Sequence, residues 1–338
     1  MTDFSTLALR LELLETVAAQ GYTRLTPVQA EAIPAILNGH DVRAQAATGS
    51  GKTAAFGLGL LNDIDPQAAC WQALVLCPTR ELADQVAQTL RALAAAIPNV
   101  RLALLCGGTP MRAQSNALVQ PAHIVVATPG RLLAHLRRDH LAAGSLATVV
   151  LDEADRMLDM GFIEDIDAIL SFLPQPRQTL LFSATWPADI ETLSARLQNA
   201  PVAVRVAAQA ELAPQISQVF HRVEPRDKTD VLIRLLLAPD LDATAQTLVF
   251  CNRKADVDAV VATLARRGFS ALALHGDREQ HERDEVLLRF AHASARVLVA
   301  TDVAARGLDI ADLAQVISYD PATHVETHTH RIGRTGRA

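Results

Sequence analysis

Residues 41–61 have the sequence DVRAQAATGSGKTAAFGLGLL, in which a short strand-like run leads into a glycine-containing turn and then into an apolar helix-like run. The turn ends in Gly51-Lys52-Thr53 and departs from the pattern G-x-x-x-x-G-K-[ST] only by opening with Ala46. Glycines let backbone N–H groups converge on phosphate oxygens, and the N-terminus of the following helix adds its positive end. The stretch therefore predicts a loop that holds nucleotide phosphates, with a plain glycine-rich turn as the alternative.

The side chains of this loop have predictable roles. Lys52 would reach the β- and γ-phosphates, and the Thr53 hydroxyl would bind Mg²⁺. The other nucleotide-binding residues that we predict in the loop are Ala47, Thr48, Gly49, Ser50 and Gly51.

Short apolar runs alternate with helix-period segments along both halves of the chain. The runs are at 73–79, 123–129, 148–153, 178–185 and 201–206, and then at 218–223, 246–252, 270–276, 296–302 and 315–320. Continuous apolar runs of this length are typical of buried parallel strands. Their alternation with helices predicts an α/β fold with open parallel sheets covered on both faces.

A stretch without a strong period, AAQAELAPQ at 207–215, separates the two halves. We expect a first domain at 1–207, a linker at 208–214 and a second domain at 215–338. The second half contains no phosphate loop of its own, so the two domains should play different parts.

Composition limits the classes of partner. The formal net charge is -6 and aromatic residues make up 4% of the 338 residues. This profile argues against electrostatic coating of nucleic acid and against a base-stacking surface, so a bound nucleic acid would be held by its backbone in a localised groove. The four cysteines lack metal-ligand spacing. Without a signal-peptide pattern or a membrane-length apolar run, we expect a cytoplasmic protein.

Acidic residues follow the apolar run at 148–151, in the order Asp152-Glu153-Ala154-Asp155. A carboxylate at a strand end beside a phosphate loop can hold Mg²⁺, which assigns Asp152 to the metal together with Thr53. Glu153 is placed to orient or deprotonate an attacking water. An acidic helix cap is the alternative, because Asp and Glu suit the first turn of a helix. The phosphate loop about 100 residues earlier favours the metal-binding interpretation.

VLDEAD at 150–155, taken with ATGSGKT at 47–53, resembles the DEAD-box RNA helicases, a family of superfamily 2. The match continues in the family's order through GYTRLTPVQ (21–29), PTRELA (78–83), the glycine pair (107–108), TPGR (128–131), SAT (183–185), VFCN (249–252), HGDREQHER (275–283), ATDVAARGLDI (300–310) and HRIGRTGR (330–337). The resemblance implies two RecA-like parallel-sheet domains in tandem with an interdomain cleft for ATP and RNA. It also implies ATP and Mg²⁺ as cofactors, and RNA-stimulated ATP hydrolysis coupled to local unwinding of RNA or remodelling of ribonucleoprotein.

The resemblance carries roles for individual residues. Nucleotide binding is implied for Phe4, Gln29, Gly307 and Asp309. A catalytic role is implied for His330, Arg334 and Arg337, beside Lys52, Asp152 and Glu153. Coupling of hydrolysis to domain closure is implied for Asp155, Ser183, Thr185, Asp302 and Arg331. RNA binding is implied for Pro78, Thr79, Arg80, Gly108, Thr128, Pro129, Arg131, Asn252, Gly276, Arg283 and Thr301.

Residue chemistry leaves several alternatives open. A glutamine such as Gln29 can pair with the N6 donor and N7 acceptor of adenine, whereas Phe4 could contact the base or simply pack in the core. Ser183 and Thr185 could instead cap a helix. The stretch HRIGRTGRA at 330–338 would alone suggest a basic tail, but with the phosphate loop its arginines become candidates for the transition-state charge.

Phrases such as DEADRMLDMGF at 152–162 are similar to a bacterial subgroup whose members use an extra C-terminal domain to find large-subunit ribosomal RNA. We expect the second domain to be truncated at its C-terminal end and the chain to be a monomer that binds RNA, with ribosomal RNA reached through the missing domain. An ATP-gated RNA clamp without productive unwinding and a translocating DNA helicase are the alternative functions.

Overall fold

The structure is a computed structural model that describes residues 3–47, 49–206, 216–238, 245–305 and 313–335, without the side chains of Gln280, Val303, Glu326 and His330. The chain divides into two compact units, Met1–Ala208 and Gln209–Ala338. The predicted linker at 208–214 lies outside the described residues.

In the first unit the helices are α1 (Leu11–Ala19), α2 (Pro27–Leu37), α3 (Lys52–Asp63), α4 (Arg80–Leu93), α5 (Met111–Ala117), α6 (Pro129–Leu136), α7 (Ala154–Asp159), α8 (Ile163–Ser171) and α9 (Ala188–Leu197). The strands are β1 (Val42–Gln45), β2 (Ala73–Leu76), β3 (Leu102–Leu105), β4 (Ile124–Ala127), β5 (Thr148–Asp152), β6 (Gln178–Ser183) and β7 (Val202–Arg205). The described strands form one sheet in the order β3-β4-β2-β5-β6-β1-β7, and every pairing in it is parallel.

This sheet is covered on both faces, as the continuous apolar runs predict. Along β2, Val75 belongs to a core cluster that includes Leu90 and Leu93 of α4, whereas Leu74 and Leu76 belong to a separate cluster with helices α6 and α8. Successive side chains of a strand point to opposite faces, so β2 contributes to both clusters.

Local sequence fixes where the helices begin near the carboxyl edge of the sheet. Thr79 caps α4 by accepting a hydrogen bond from the backbone N–H of Leu82 at 3.3 Å. Thr26 and Gln29 form a capping box at the start of α2, where Pro27 occupies the first helical position. α3 begins directly after Gly51, whose positive φ of 91° favours glycine.

The second unit, as far as it is described, contains helices α10 (Lys228–Leu236), α11 (Lys254–Arg266), α12 (Gln280–Ala291), α13 (Asp302–Ala305) and α14 (Val325–Ile332). Its strands are β8 (Thr247–Phe250), β9 (Ala271–Leu274), β10 (Val297–Ala300) and β11 (Gln315–Ser318). They pair in parallel in the order β11-β8-β10-β9. The prediction of parallel α/β sheets is therefore confirmed.

The strand predicted at 218–223 is wrong. These residues are in neither a helix nor a strand, and Val219 and Phe220 are 71% and 84% exposed. An apolar run becomes a buried strand only where neighbouring strands and helices cover it. In the described part of the chain, no helix is long and apolar enough to cross a membrane.

Close packing of α2 against α3 gives a test of the fold. A Cβ on Gly59 would lie 2.3 Å from Cγ2 of Ile36. Alanine improves helix propensity by about 1 kcal/mol, but overpacking costs about 1–3 kcal/mol, and an approach of 2.3 Å places Gly59→Ala in the upper part of this range, at about 2–3 kcal/mol. We expect Gly59→Ala to lower the free energy of unfolding by about 1–2 kcal/mol, measured by urea denaturation.

Gly144→Ala is the matched control, because a Cβ at this exposed glycine meets nothing within 4 Å. Its unfolding free energy should change by less than about 0.5 kcal/mol. Equal stability of Gly59→Ala and the unaltered chain would contradict the described contact between the two helices.

Candidate functional site

The glycine-containing loop lies between the end of β1 and the start of α3. Gly49 and Gly51 have positive φ angles of 81° and 91°, a geometry that turns successive N–H groups toward one point. The Lys52 ammonium group is buried and donates a hydrogen bond to the backbone oxygen of Ala46 at 2.8 Å. Thr48 lies outside the described residues. The geometry of the described part suits a phosphate group at the helix N-terminus.

Gln29 is placed against this loop. Its Oε1 accepts from the backbone N–H of Thr26 at 2.9 Å, and its Nε2 donates to the backbone oxygen of Gly51 at 3.2 Å. A Cβ on Gly51 would lie 2.5 Å from Nε2 of Gln29, so position 51 requires glycine for space as well as for its φ angle. The amide thus joins the start of α2 to the phosphate loop, and contact with adenine stays a prediction.

Phe4 is 3% exposed and belongs to the core cluster on one face of the first sheet. Its ring centroid is 6.1 Å from that of Tyr22. Packing in the core is therefore the role that the structure describes for Phe4, and its contact with a base stays a prediction.

Asp152 ends β5 in a buried position, 2% exposed. Burial raises the pKa of its carboxyl group to about 7, and the charge of Lys52 opposes this shift only in part. The Thr53 hydroxyl and the Asp152 carboxylate are oxygen ligands of the hard type that Mg²⁺ prefers, so the donor set fits this ion.

Glu153 follows with a left-handed backbone, φ 53° and ψ 52°, which at a non-glycine residue costs about 1–3 kcal/mol. Its Oε2 lies 2.8 Å from Nη1 of Arg156, and both side chains are buried. Arg156 was not among the residues predicted from the sequence, although its i, i+3 spacing from Glu153 is the signal that could have found it. The buried contact with Arg156 holds the Glu153 carboxylate in one orientation.

Asp155, Ser183 and Thr185 come together across the ends of β5 and β6. Oδ2 of Asp155 accepts from the Thr185 hydroxyl at 2.7 Å and from the Thr185 N–H at 2.9 Å, while the Asp155 N–H donates to Oγ of Ser183 at 3.3 Å. Burial alone would raise the pKa of Asp155, but the hydrogen bonds from Thr185 outweigh it and hold that pKa below its usual range. Neither Ser183 nor Thr185 is the N-cap of the next helix, which is Pro187.

Predicted RNA-side residues of the first unit lie at the ends of the adjacent strands β2, β4 and β3 or in the turns after them. Pro78 and Thr79 precede α4, and Thr128 and Pro129 begin α6. Gly108 has a φ of 79°, and a Cβ there would lie 2.0 Å from Nη1 of Arg80. The Arg80 guanidinium thus packs directly on the backbone of Gly108, which requires glycine. The carboxyl edge of a parallel sheet is where such folds bind ligands.

In the second unit Arg331 is almost completely buried, at 1% exposure. Its Nε and Nη2 each donate to one carboxylate oxygen of Asp302 at 2.7 Å, and Nη2 also donates to Oδ1 of Asn252 at 2.7 Å. The guanidinium lies 5.1 Å from the ring centroid of Phe250. Asn252, predicted to bind RNA, therefore has its side-chain oxygen engaged with the coupling pair.

The sequence analysis missed two members of this network, Asp320 and Lys228. The backbone oxygen of Asp320 accepts from Nη1 of Arg331 at 2.5 Å, and its carboxylate is paired with Lys228. Paired charges far apart in sequence leave no pattern that periodicity could detect.

For the remaining predicted residues of the second unit, the structure gives the position in the fold and few side-chain contacts. Thr301 is buried at the end of β10, Arg283 lies in α12, and a Cβ on Gly276 would lie 3.7 Å from Cε of Lys254. Arg334 is buried in the turn after α14 and its backbone N–H donates to the backbone oxygen of Arg331 at 3.2 Å. Gly307, Asp309, Arg337 and the side chain of His330 lie outside the described residues.

Two units with parallel sheets, a loop suited to phosphate and buried carboxylates at strand ends are the features of a nucleotide-dependent enzyme. Residues 26–193 match the model of the DEAD/DEAH box helicase family and residues 227–338 match the helicase conserved C-terminal domain. The chain belongs to the DEAD/DEAH box helicase family.

Two relatives match along the full length of this chain. The chain is 54% identical over 339 residues to the ATP-dependent RNA helicase DbpA of Escherichia coli K12, covering 100% of this chain and 73% of that protein. It is 44% identical over 338 residues to the DEAD-box ATP-dependent RNA helicase CshA of Geobacillus kaustophilus, covering 100% of this chain and 72% of that protein.

Solved structures also match this chain over its full length. Dbp5 of Saccharomyces cerevisiae bound to RNA and ADP BeF3 matches with a TM-score of 0.89 and 30% identity, covering 100% of this chain and 87% of that one. A DEAD box protein from Methanococcus jannaschii matches with a TM-score of 0.60 and 37% identity, covering 100% of this chain and 90% of that one.

The raised pKa of Asp152 gives a test by pH. In the folded state the pKa of the Asp152 carboxyl group is about 7, whereas the ordinary pKa of an unfolded Asp is 3.8. The folded state therefore loses stability as pH rises between these values, and the cost is fully present above the upper one. Without Mg²⁺ or nucleotide, we expect Asp152→Asn to be more stable than the unaltered chain, with the gap in unfolding free energy widening by about 2 kcal/mol between about pH 5.5 and about pH 8.

Urea unfolding in the presence of a chelator measures this gap. The exposed Asp159→Asn is the matched control, because a solvated carboxyl should add no such gap. A gap for Asp152→Asn that stays constant or narrows with rising pH would contradict the described burial of this carboxylate.

Proposed function

We propose that this chain is an ATP-dependent RNA helicase, in which RNA-stimulated ATP hydrolysis is coupled to local unwinding of RNA or remodelling of ribonucleoprotein. The observation that carries the proposal is the hydrogen-bonded contact of Asp155 with Ser183 and Thr185. The backbone oxygen of Ser183 also accepts from the N–H of Ala46 at 3.0 Å, at the start of the phosphate loop. A change at the phosphates can thus reach the end of β6 through direct contacts.

In this proposal the first unit binds the nucleotide. Lys52 exchanges its hydrogen bond to Ala46 for phosphate oxygens, and Gln29 selects adenine from the start of α2. Thr53 and Asp152 hold Mg²⁺, which when bound neutralises phosphate charge. Asp152 must be ionised for this role, and the nearby charge of Lys52 favours ionisation. Glu153 orients or deprotonates the attacking water.

The second unit supplies the arginines of the reaction in this proposal. Arg334 and Arg337 stabilise the charge that develops on the transferred phosphate, and Asp302 with Arg331 carries the coupling. Arginines in this role contribute about 10³–10⁵ in rate, so hydrolysis should be slow until RNA is bound. By linkage, ATP and RNA must raise each other's affinity by the same factor.

The proposal retains the finer expectations from the sequence. The first domain spans 1–207, the linker 208–214 and the second domain 215–338, and the two family matches fall inside these domains. The protein acts in the cytoplasm as a monomer, and large ribosomal subunit assembly is the process that similarity to DbpA supports. The RNA backbone is held mainly through Arg80, Gly108, Thr128 and Arg131.

ATP turnover with and without single-stranded RNA tests the activity. We expect RNA to raise the ATPase rate of the unaltered chain at least about tenfold, and Lys52→Ala to lose at least about 10² in rate because phosphate charge stabilisation is lost. Arg196→Ala, an exposed arginine on α9, is the control and should match the unaltered chain. A rate that saturating RNA leaves unchanged would refute the proposal, and equal stimulation by single-stranded DNA would favour the DNA helicase.

Strand release separates unwinding from clamping. At limiting ATP we expect the unaltered chain to release one strand of a short RNA duplex and Glu153→Gln to hold RNA with ATP while turning over at least about 10² more slowly, because the base is neutralised. Fluorescence of a labelled strand measures the release. RNA-stimulated ATP hydrolysis without any strand release by the unaltered chain would identify an ATP-gated clamp.

A further inference from the structure

Four polar side chains of the first unit form a hydrogen-bonded group that includes the predicted RNA-binding residue Arg131, and we call this group of Gln114, Arg131, His135 and His140 the Gln114 cluster. Gln114 is 5% exposed on α5 and His135 is completely buried on α6. Oε1 of Gln114 lies 2.9 Å from Nη1 of Arg131 and 3.0 Å from Nε2 of His135. Nδ1 of His135 lies 3.0 Å from Nδ1 of His140. A buried amide with this many partners needs a reason beyond packing.

Hydrogen-bond directions in the cluster are fixed by one neutral imidazole. Burial, with the charges of His140, Arg131 and Arg138, lowers the pKa of His135 to about 4, so the ring is neutral near pH 7. An amide oxygen can only accept, and His135 therefore carries its proton on Nε2 and donates to Gln114. Its Nδ1 must then accept from Nδ1–H of His140. The chain of donors leaves Oε1 of Gln114 in a single orientation, facing Nη1 of Arg131.

The other end of the Gln114 amide holds the loop that contains the glycine pair. Nε2 of Gln114 donates to the backbone oxygen of Cys106 at 2.8 Å, and Nη1 of Arg131 donates to the backbone oxygen of Thr109 at 2.6 Å. The Gln114 amide thus holds one end of residues 106–109 and the Arg131 guanidinium holds the other, and the amide and the guanidinium are bonded to each other. Gly108, on which Arg80 packs, lies within this loop.

Arg131 keeps binding capacity for a ligand. Among the described residues the hydrogen bonds of Arg131 all use Nη1, so the donors of its Nη2 and Nε remain for phosphate oxygens. A guanidinium fixed through one nitrogen loses less rotamer freedom when it binds, because its long side chain is already held in one conformation.

We propose that Gln114 is a positioning residue for RNA: it holds Arg131 and the 106–109 loop in the conformation that binds the RNA backbone, and His135 fixes the orientation of its amide. This inference rests on the proposed function, since it assigns the support of the RNA-binding edge. Gln114 itself need not touch RNA.

Direct RNA binding tests the inference apart from ATP hydrolysis. The probe is a fluorescein-labelled single-stranded oligouridylate, titrated by anisotropy with Mg²⁺ and ADP–beryllium fluoride present. Gln114→Asn shortens the side chain by one methylene and withdraws its oxygen from Arg131, and Gln114→Glu keeps an acceptor toward Arg131. The exposed Asn116→Ala on the same helix is the control.

We expect Gln114→Asn to raise the Kd for RNA about tenfold and Asn116→Ala to change nothing. Gln114→Glu keeps the contact with Arg131 but loses the donor to Cys106, so it should raise the Kd less, by about threefold. RNA-independent ATP turnover should stay within about twofold in all three. Arg131→Met should raise the Kd about tenfold, and combining it with Gln114→Asn should add less than about threefold, because the two act through one contact.

Several results would overturn the inference. These are an unchanged Kd for Gln114→Asn, a double variant whose effects multiply in full, or an equal loss of RNA-independent turnover, which indicates general structural damage. If Gln114→Asn does not fold, Gln114→Met, which keeps the length of the side chain but removes its acceptor, decides in its place: an unchanged Kd for RNA overturns the inference. Failure of the proposed function shows separately, as an unaltered chain whose ATPase does not respond to RNA. An unaltered chain that does not bind RNA overturns both.

Discussion

The hydrogen bonds from Thr185 to the buried carboxylate of Asp155 join the ends of two adjacent parallel strands, β5 and β6, and the functional edge of the first unit depends on them. A buried carboxylate is tolerated only when it is neutral or well hydrogen-bonded. The hydrogen bonds from Thr185 hold the pKa of Asp155 below its usual range, whereas Asp152, three residues earlier, accepts among the described residues only from the backbone N–H of Glu153 and has its pKa raised to about 7 by burial. The two aspartates of one motif therefore differ only through their surroundings. Asp155 connects two strand ends, whereas the charge of Asp152 depends on whether a ligand is bound.

Backbone strain and buried charge are found at the same carboxyl edge of the first sheet. Glu153 has a left-handed backbone between the two aspartates, and its carboxylate faces the buried guanidinium of Arg156. The Lys52 ammonium group donates a hydrogen bond to the backbone oxygen of Ala46. Each arrangement costs free energy that the surrounding core must offset. Such costs are found where a site is organised in advance for charge that arrives with a substrate.

The sequence predicted the α/β class and the strand ends because both depend on local pattern. Apolar runs mark buried strands, and polar residues after them mark the carboxyl edge, which correctly grouped Arg80, Gly108 and Arg131 as neighbours of one edge. The run at 218–223 failed because burial, not apolarity, makes a strand, and Phe220 is exposed. The sequence could not predict that Gln29 bonds to Gly51 or that Asn252 bonds to Arg331, since these contacts join residues 22 and 79 positions apart.

The residues that sequence reasoning missed share one physical character. Gln114, Arg156 and Asp320 are polar groups that satisfy other polar groups. A motif names the side chain that meets the ligand, such as Arg131 or Arg331, but a long charged side chain in a protein interior needs acceptors that hold it in one conformation. Gln114 gives Arg131 such an acceptor, as Asp302 and Asp320 do for Arg331. Both units, although they differ in function, therefore hold an arginine in one conformation through a neighbouring polar residue. In each unit this supporting residue sets the direction of the guanidinium group.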